Sequence, residues 1–261
     1  MVPFFQGKID NFCAIYAVIN AVHLRSPLSA AQARGMFNDA VMHAAHDERI
    51  LSDVLAHATD YASLVRYMLD RFAREYAFSW EPFLGGAICP GEQAAHLLPH
   101  HADAGKKELH ACGTPEDLAA FFRRHTDGRK GKSVVFRFCR FKPGEGKMFI
   151  DHWSTAAEVS GDSVCLFDCS LERNGLYSLP LDRLHVGPAG TVPPLGKCGD
   201  AAWIPPASEH GEECIVVPED CVFAIRPEAS VCGFFKTMNG GRWKAERPVL
   251  RSPEDFPRGT E

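Results

Sequence analysis

From 12 to 24 the chain is apolar at nearly every position, with Ala14, Ile15, Tyr16, Ala17, Val18, Ile19, Ala21 and Val22 leaving no polar stripe. That pattern predicts a helix buried on all sides at the centre of the fold. Its polar approach, Gln6-Gly7-Lys8-Ile9-Asp10-Asn11, offers Asp10 or Asn11 as an N-cap for the first-turn amides. Two further segments, 29–45 and 50–76, have apolar residues near helical spacing; the second carries them at Leu51, Val54, Leu55, Leu64, Val65, Met68, Leu69 and Phe72. Thr114-Pro115-Glu116-Asp117 opens another helix, with Thr as N-cap, Pro at N1 and Asp at N3. After that the pattern changes to strands, expected at 133–141, 148–159, 163–168, 214–217 and 221–226. Helices first and strands later predict an α+β fold and not an alternating parallel sheet.

Between these elements, 84–110 is rich in Gly and His and is expected to be loop with a short helix. The stretch 186–213 holds Pro188, Pro193, Pro194, Pro205 and Pro206, the composition of a long loop that can serve function. The expected organisation is one domain over 1–235 and a charged, Pro-containing tail over 236–261. No internal repeat, phosphate-binding glycine loop or dinucleotide fingerprint is present.

The candidate chemistry begins at Cys13. As the residue that opens the central helix it would sit at the positive end of the macrodipole, where a negative sulfur is favoured. A thiol nucleophile needs a base, and among twelve histidines His152 stands out by its surroundings. Met148-Phe149-Ile150-Asp151-His152-Trp153-Ser154-Thr155, then Gly161-Asp162, then Val164-Cys165-Leu166-Phe167-Asp168 has the pattern of a β-hairpin. A carboxylate accepting from the imidazole would fix its tautomer and stabilise the imidazolium. Strand parity tests that pairing. With the two-residue loop Gly161-Asp162, Asp168 would oppose Thr155, on the face away from His152. With a three-residue loop over 160–162, or one β-bulge, Asp168 opposes Ser154 and becomes a diagonal neighbour of His152 at about 7–8 Å between backbones. A three-residue turn or a bulge is therefore expected.

Composition narrows the class. The chain has 261 residues and a net charge of −5, which gives no basic footprint for nucleic acid or an anionic membrane. No stretch reaches the length of a membrane span, and the first residues lack the basic region of a signal peptide. Its ten cysteines lie mostly in apolar or strand-like runs, as buried thiols do in a reduced compartment. The expected location is the cytoplasm, or the cytosol of a target cell reached by export without a classical signal peptide, as for a delivered bacterial effector. His43 and His46, beside Asp47, have helical i, i+3 spacing, and the pairs Cys165/Cys169 and Cys214/Cys221 also suggest ligands. None has paired Cys-x-x-Cys spacing, so no metal and no other cofactor is expected. His96, His100 and His101 fall in a polar loop, Trp153 is expected in the core, and Trp203 is expected at the surface or in packing, with a substrate groove as the alternative.

Around Cys13, His152 and Asp168 the chain resembles papain-like cysteine peptidases, and is similar to the branch of bacterial leader peptidases. The resemblance covers about thirty residues. It implies a helical lobe carrying Cys13, a β-rich lobe carrying His152 and Asp168, and a cleft between them. It further implies a Cys13-His152-Asp168 triad, an oxyanion hole formed by the Gln6 side chain and the Cys13 backbone N–H, and a protein or peptide substrate. The Cys-Gly-Ser-Cys-Trp run of papain is absent, Asp168 stands where an asparagine is usual, and the tryptophan after that asparagine is missing. The implied activity is cleavage of a peptide or isopeptide bond through a thioester. The same triad also serves glutamine deamidases, transglutaminases and acyltransferases, and a catalytically silent papain-like binding module is the alternative from another class.

Overall fold

The computed structural model describes residues 3–5, 12–48, 50–51, 61–84, 113–142, 148–170, 178–187 and 214–228. Helix α1 spans Cys13–Arg25 and is buried along most of its length, including Ala14, Ile15, Ala17, Val18, Ile19, Ala21 and Val22. Its N-cap position is Phe12, whose side chain makes no cap hydrogen bond and whose ring meets Phe37 edge-on at 5.3 Å. Asp10 and Asn11 themselves lie outside the described residues.

Helix α2, Ala30–His46, starts with a reciprocal capping box between Ser29 and Gln32. Of the helix expected over 50–76, Ala62–Ala73 forms α3, and Tyr61 occupies its N-cap with a non-helical backbone. The continuous helix is therefore broken there, and 52–60 lies outside the described residues. Ala77, with φ of 52°, turns the chain into β1, Phe78–Pro82, a strand the sequence pattern did not announce. Helix α4, Pro115–His125, carries the expected Thr114/Asp117 capping box with Pro at its start.

The strands that follow are β2 (Ser133–Phe141), β3 (Met148–Ser160), β4 (Ser163–Leu166), β5 (Ser178–Pro180), β6 (Leu184–Gly187), β7 (Cys214–Pro218) and β8 (Val222–Pro227). They form one open sheet in the order β1-β8-β2-β3-β4-β5. β7 also pairs with β2, past the stretch paired with β8, and β6 runs parallel to β7. The other pairings are antiparallel, so the fold is a mixture of helices and an antiparallel sheet, as α+β implies. The segment 188–213, with Trp203, and the tail 236–261 lie outside the described residues, as do His96, His100 and His101.

Strand alternation divides the core in two. On one face Val135, Trp153, Phe223 and Ile225 pack with α1, α2 and α3. Trp153 is fully buried there, as its parity predicts. On the other face Val134, Phe136, Phe138 and Ala156 pack with Leu118 and Phe122 of α4. One hydrogen bond ties α1 to the sheet directly: Thr155 Oγ1 donates to the Ala17 carbonyl at 2.6 Å. Ala17 stands one helical turn after Cys13, and Thr155 stands three residues past His152, so this contact helps set their separation.

Candidate active site

The hairpin β3–β4 has both features that parity considered separately. Ser160 pairs with Ser163 across the two-residue turn, where Gly161 takes the left-handed φ of 57° that favours glycine. A bulge between Ala156 and Glu158 then shifts the register, so that Ala156 faces Leu166. The shifted register continues past β4, where Phe167 N–H donates to the Thr155 carbonyl at 2.7 Å. Asp168 is thereby carried to the His152 face. The expected three-residue turn is replaced by its alternative, the bulge.

The imidazole is held from several sides. His152 Nε2 meets Asp168 Oδ2 at 2.9 Å. Phe138, directly opposite on β2, presents its ring at right angles to the imidazole with centroids 5.7 Å apart. The Cys13 and Cys169 thiols both hydrogen-bond His152. Nε2 serves the carboxylate, and Nδ1 is the second ring nitrogen through which the imidazole can bond a thiol. Asp168 is in turn fixed by the Ser154 hydroxyl, which donates to Oδ2, and by the Ser170 backbone N–H, which donates to Oδ1 at 2.7 Å. A buried carboxylate with this many donors is a rigid acceptor.

These contacts set the charges. Burial opposes ionisation of Asp168, but the hydrogen bonds from His152, Ser154 and Ser170 and the charge of His152 win, and its pKa falls to about 2. Burial likewise works against charge on His152, and its bonds with Asp168, Cys13 and Cys169 overcome this, raising its pKa well above the ordinary histidine range. Cys169 goes the other way: burial pushes its thiol up to about 11 despite the nearby imidazole.

The pair therefore links folding to pH. Asp168 is depressed on folding, so its stabilisation is present above about pH 4 and is lost as pH falls towards 2. His152 is raised on folding, so its stabilisation is complete below about pH 6.5 and is lost as pH rises through the elevated value. Asp168 should contribute about 2 kcal/mol. Urea unfolding of the wild type and Asp168→Asn should differ by about that amount at pH 6 and converge near pH 2. An equal gap at both pH values would show that Asp168 is not ionised in the folded protein.

Cys13 is the first residue of α1 and is buried. Its backbone N–H is one of the first-turn amides of α1, whose acceptors lie outside the helical ladder. Gln6, the expected second oxyanion donor, lies outside the described residues. The chain is anchored just before it: Asn20 on α1 accepts from Phe4 N–H at 2.7 Å and donates to the Phe4 carbonyl at 3.1 Å.

Among the described residues, donor atoms of His152, Asp168 and Cys169 come within 4.8 Å of one another and could hold a metal ion, although the His152–Asp168 hydrogen bond already accounts for that spacing. The histidines of α2 are engaged separately: His43 stacks on Tyr67 at 3.5 Å, and His46 Nδ1 contacts the Met42 carbonyl at 2.6 Å. Sequence reading did not assign Ser154 or Cys169 to the site. Ser154 was legible as the residue opposite Asp168, and Cys169 as its chain neighbour. Comparison with protein families, curated proteins and solved structures finds no match.

Proposed function

We propose that this protein is a papain-like cysteine peptidase that cleaves a peptide or isopeptide bond through Cys13, His152 and Asp168. The observation that carries this reading is the single imidazole bonded at once to a buried carboxylate and to the thiol at the start of the central helix. Helices α1–α3 and the sheet correspond, in this reading, to the helical and β-rich lobes of that fold. The Cys13 thiolate attacks the substrate carbonyl and forms a tetrahedral oxyanion, which the Cys13 N–H and Gln6 stabilise, a contribution of about 3–4 kcal/mol per donor in comparable sites. His152, charged and oriented by Asp168, gives its proton to the departing amine as the thioester forms. The neutral imidazole then takes a proton from water, whose attack releases the acid and regenerates the thiol.

The test pairs a labelling profile with a product analysis. Iodoacetamide modification of Cys13, followed by peptide mass spectrometry at pH 7, should be much faster in the wild type than in the His152→Ala variant. Incubation with peptide libraries and with intact proteins should yield new termini. Equal labelling rates at Cys13 in wild type and His152→Ala would reject the reading. New mass differences of deamidation or transamidation, without new termini, would move it to acyl transfer by the same residues.

A further inference from the structure

The mechanism uses one thiol, yet two meet at the imidazole. Cys13 and Cys169 each hydrogen-bond His152, and both belong to the same buried core cluster. The Cys169 sulfur also lies within 4.8 Å of the facing His152 nitrogen and Asp168 oxygen. Cys169 is almost wholly inaccessible to solvent, at 1% exposure, and nothing in the hydrolytic cycle requires a sulfur there. None of the six described cysteines is in a disulfide. A disulfide between them requires their Cα atoms to stand within about 7 Å, a condition that the cross-link below reads out directly.

We propose that Cys13 and Cys169 are a redox pair: a hydroperoxide oxidises Cys13, and Cys169 captures the product as a reversible disulfide. The inference rests on Cys13 being the reactive thiol of the reading above. In the first step the Cys13 thiolate attacks one peroxide oxygen and the O–O bond breaks. Sulfur loses two electrons to become sulfenic acid, and the departing oxygen takes the proton of the His152 imidazolium, leaving as water or an alcohol. His152 is now neutral and accepts the Cys169 proton. The Cys169 sulfur attacks the Cys13 sulfur, the S–O bond breaks, and hydroxide takes the proton back from His152 and leaves as water. Two thiols and one hydroperoxide give one disulfide, one water or alcohol, and one further water. The shared imidazole performs both proton transfers, which is why a thiol that burial keeps protonated can still act as the resolving partner. The disulfide masks the nucleophile and blocks its further, irreversible oxidation to sulfinic acid.

The test uses the full chain and hydrogen peroxide, with peptide mass spectrometry and thiol labelling as readouts, so that it does not depend on turnover. Peroxide-treated wild type should yield a cross-linked peptide pair containing Cys13 and Cys169, and dithiothreitol should restore Cys13 labelling to nearly its untreated level. In Cys169→Ala, and in Cys169→Ser as a second variant, peroxide should carry Cys13 to sulfinic acid, and dithiothreitol should restore little labelling. The proposal is overturned if Cys13 in the wild type is over-oxidised without the cross-link, or links to another cysteine, or recovers equally in the variants. A cross-link in a protein that cleaves nothing would leave this pair standing and reject the peptidase reading. Cleavage without the cross-link would do the reverse.

Discussion

Cys13→Ala is expected to lower kcat/KM for the peptide substrates identified by mass spectrometry by about 10⁴-fold or more, the scale on which loss of a triad nucleophile acts. The alanine removes the proposed nucleophile while keeping a helix-compatible residue at the start of α1, so circular dichroism and the unfolding midpoint should change little. His152→Ala should cost a comparable factor, because without the imidazole the thiol has neither a counter-ion nor a proton donor for the leaving amine. The double variant should be scarcely slower than either single one. Sulfur and imidazole act as a unit, and once one is gone the other has nothing left to contribute. Asp168→Asn should cost much less, since an amide oxygen can still accept from Nε2–H and preserve the ring's orientation. Multiplicative losses in the double variant would mean that the two residues act independently. Turnover persisting in both single variants would place the chemistry elsewhere.

What the sequence disclosed follows from how locally each feature is encoded. α1 was legible because an all-apolar run fits few alternatives, and the α4 start because Thr114, Pro115 and Asp117 encode a cap within four residues. The His152–Asp168 relation was legible through strand parity, since alternation leaves only two answers and a bulge or longer turn switches between them. Parity could not choose between those two devices, because both produce the same register at Ser154. β1, β5 and β6 were missed for a different reason: strands of three to five residues are too short to show alternation, and pairing with longer neighbours creates them. Cys169 drew notice in the sequence only as a spacing partner of Cys165, since the folded hairpin is what brings its thiol to the imidazole.

Arg137→Ala should destabilise the fold by about 3–5 kcal/mol, the usual cost of leaving one member of a buried ion pair alone. The guanidinium grips Asp151 with two parallel bonds, Nε to Oδ1 and Nη2 to Oδ2, each 2.9 Å long. The Asp151 side chain has no solvent exposure and that of Arg137 only 5%. On the β2–β3 ladder Arg137 faces Trp153, so Asp151 is its diagonal neighbour, an arrangement that opposite charges on one sheet face can exploit. The Cys139 thiol, directly opposite Asp151, donates to Oδ1 at 3.6 Å and completes the acceptor's surroundings. Asp151 immediately precedes His152, so the pair pins the strand at the point where the His152 ring is displayed. Arg137→Lys keeps the charge but loses the fork, and should fall between wild type and Arg137→Ala. Combining Arg137→Met with Asp151→Leu removes both charges, and should cost far less than either change alone. Urea midpoints at constant m-value measure the wild type and each variant, with Arg137→Met and Asp151→Leu also made singly, and the interaction energy from that cycle should be several times that of a surface pair. A loss below about 1 kcal/mol in Arg137→Ala would mean that water reaches Asp151 and that the clamp does not hold the strand. If the double variant is stable yet slow, with kcat reduced and KM unchanged, the ion pair serves mainly to position His152. If it is stable and fully active, hydrophobic packing around Trp153 and the Thr155–Ala17 bond suffice to hold the ring where Cys13 can use it.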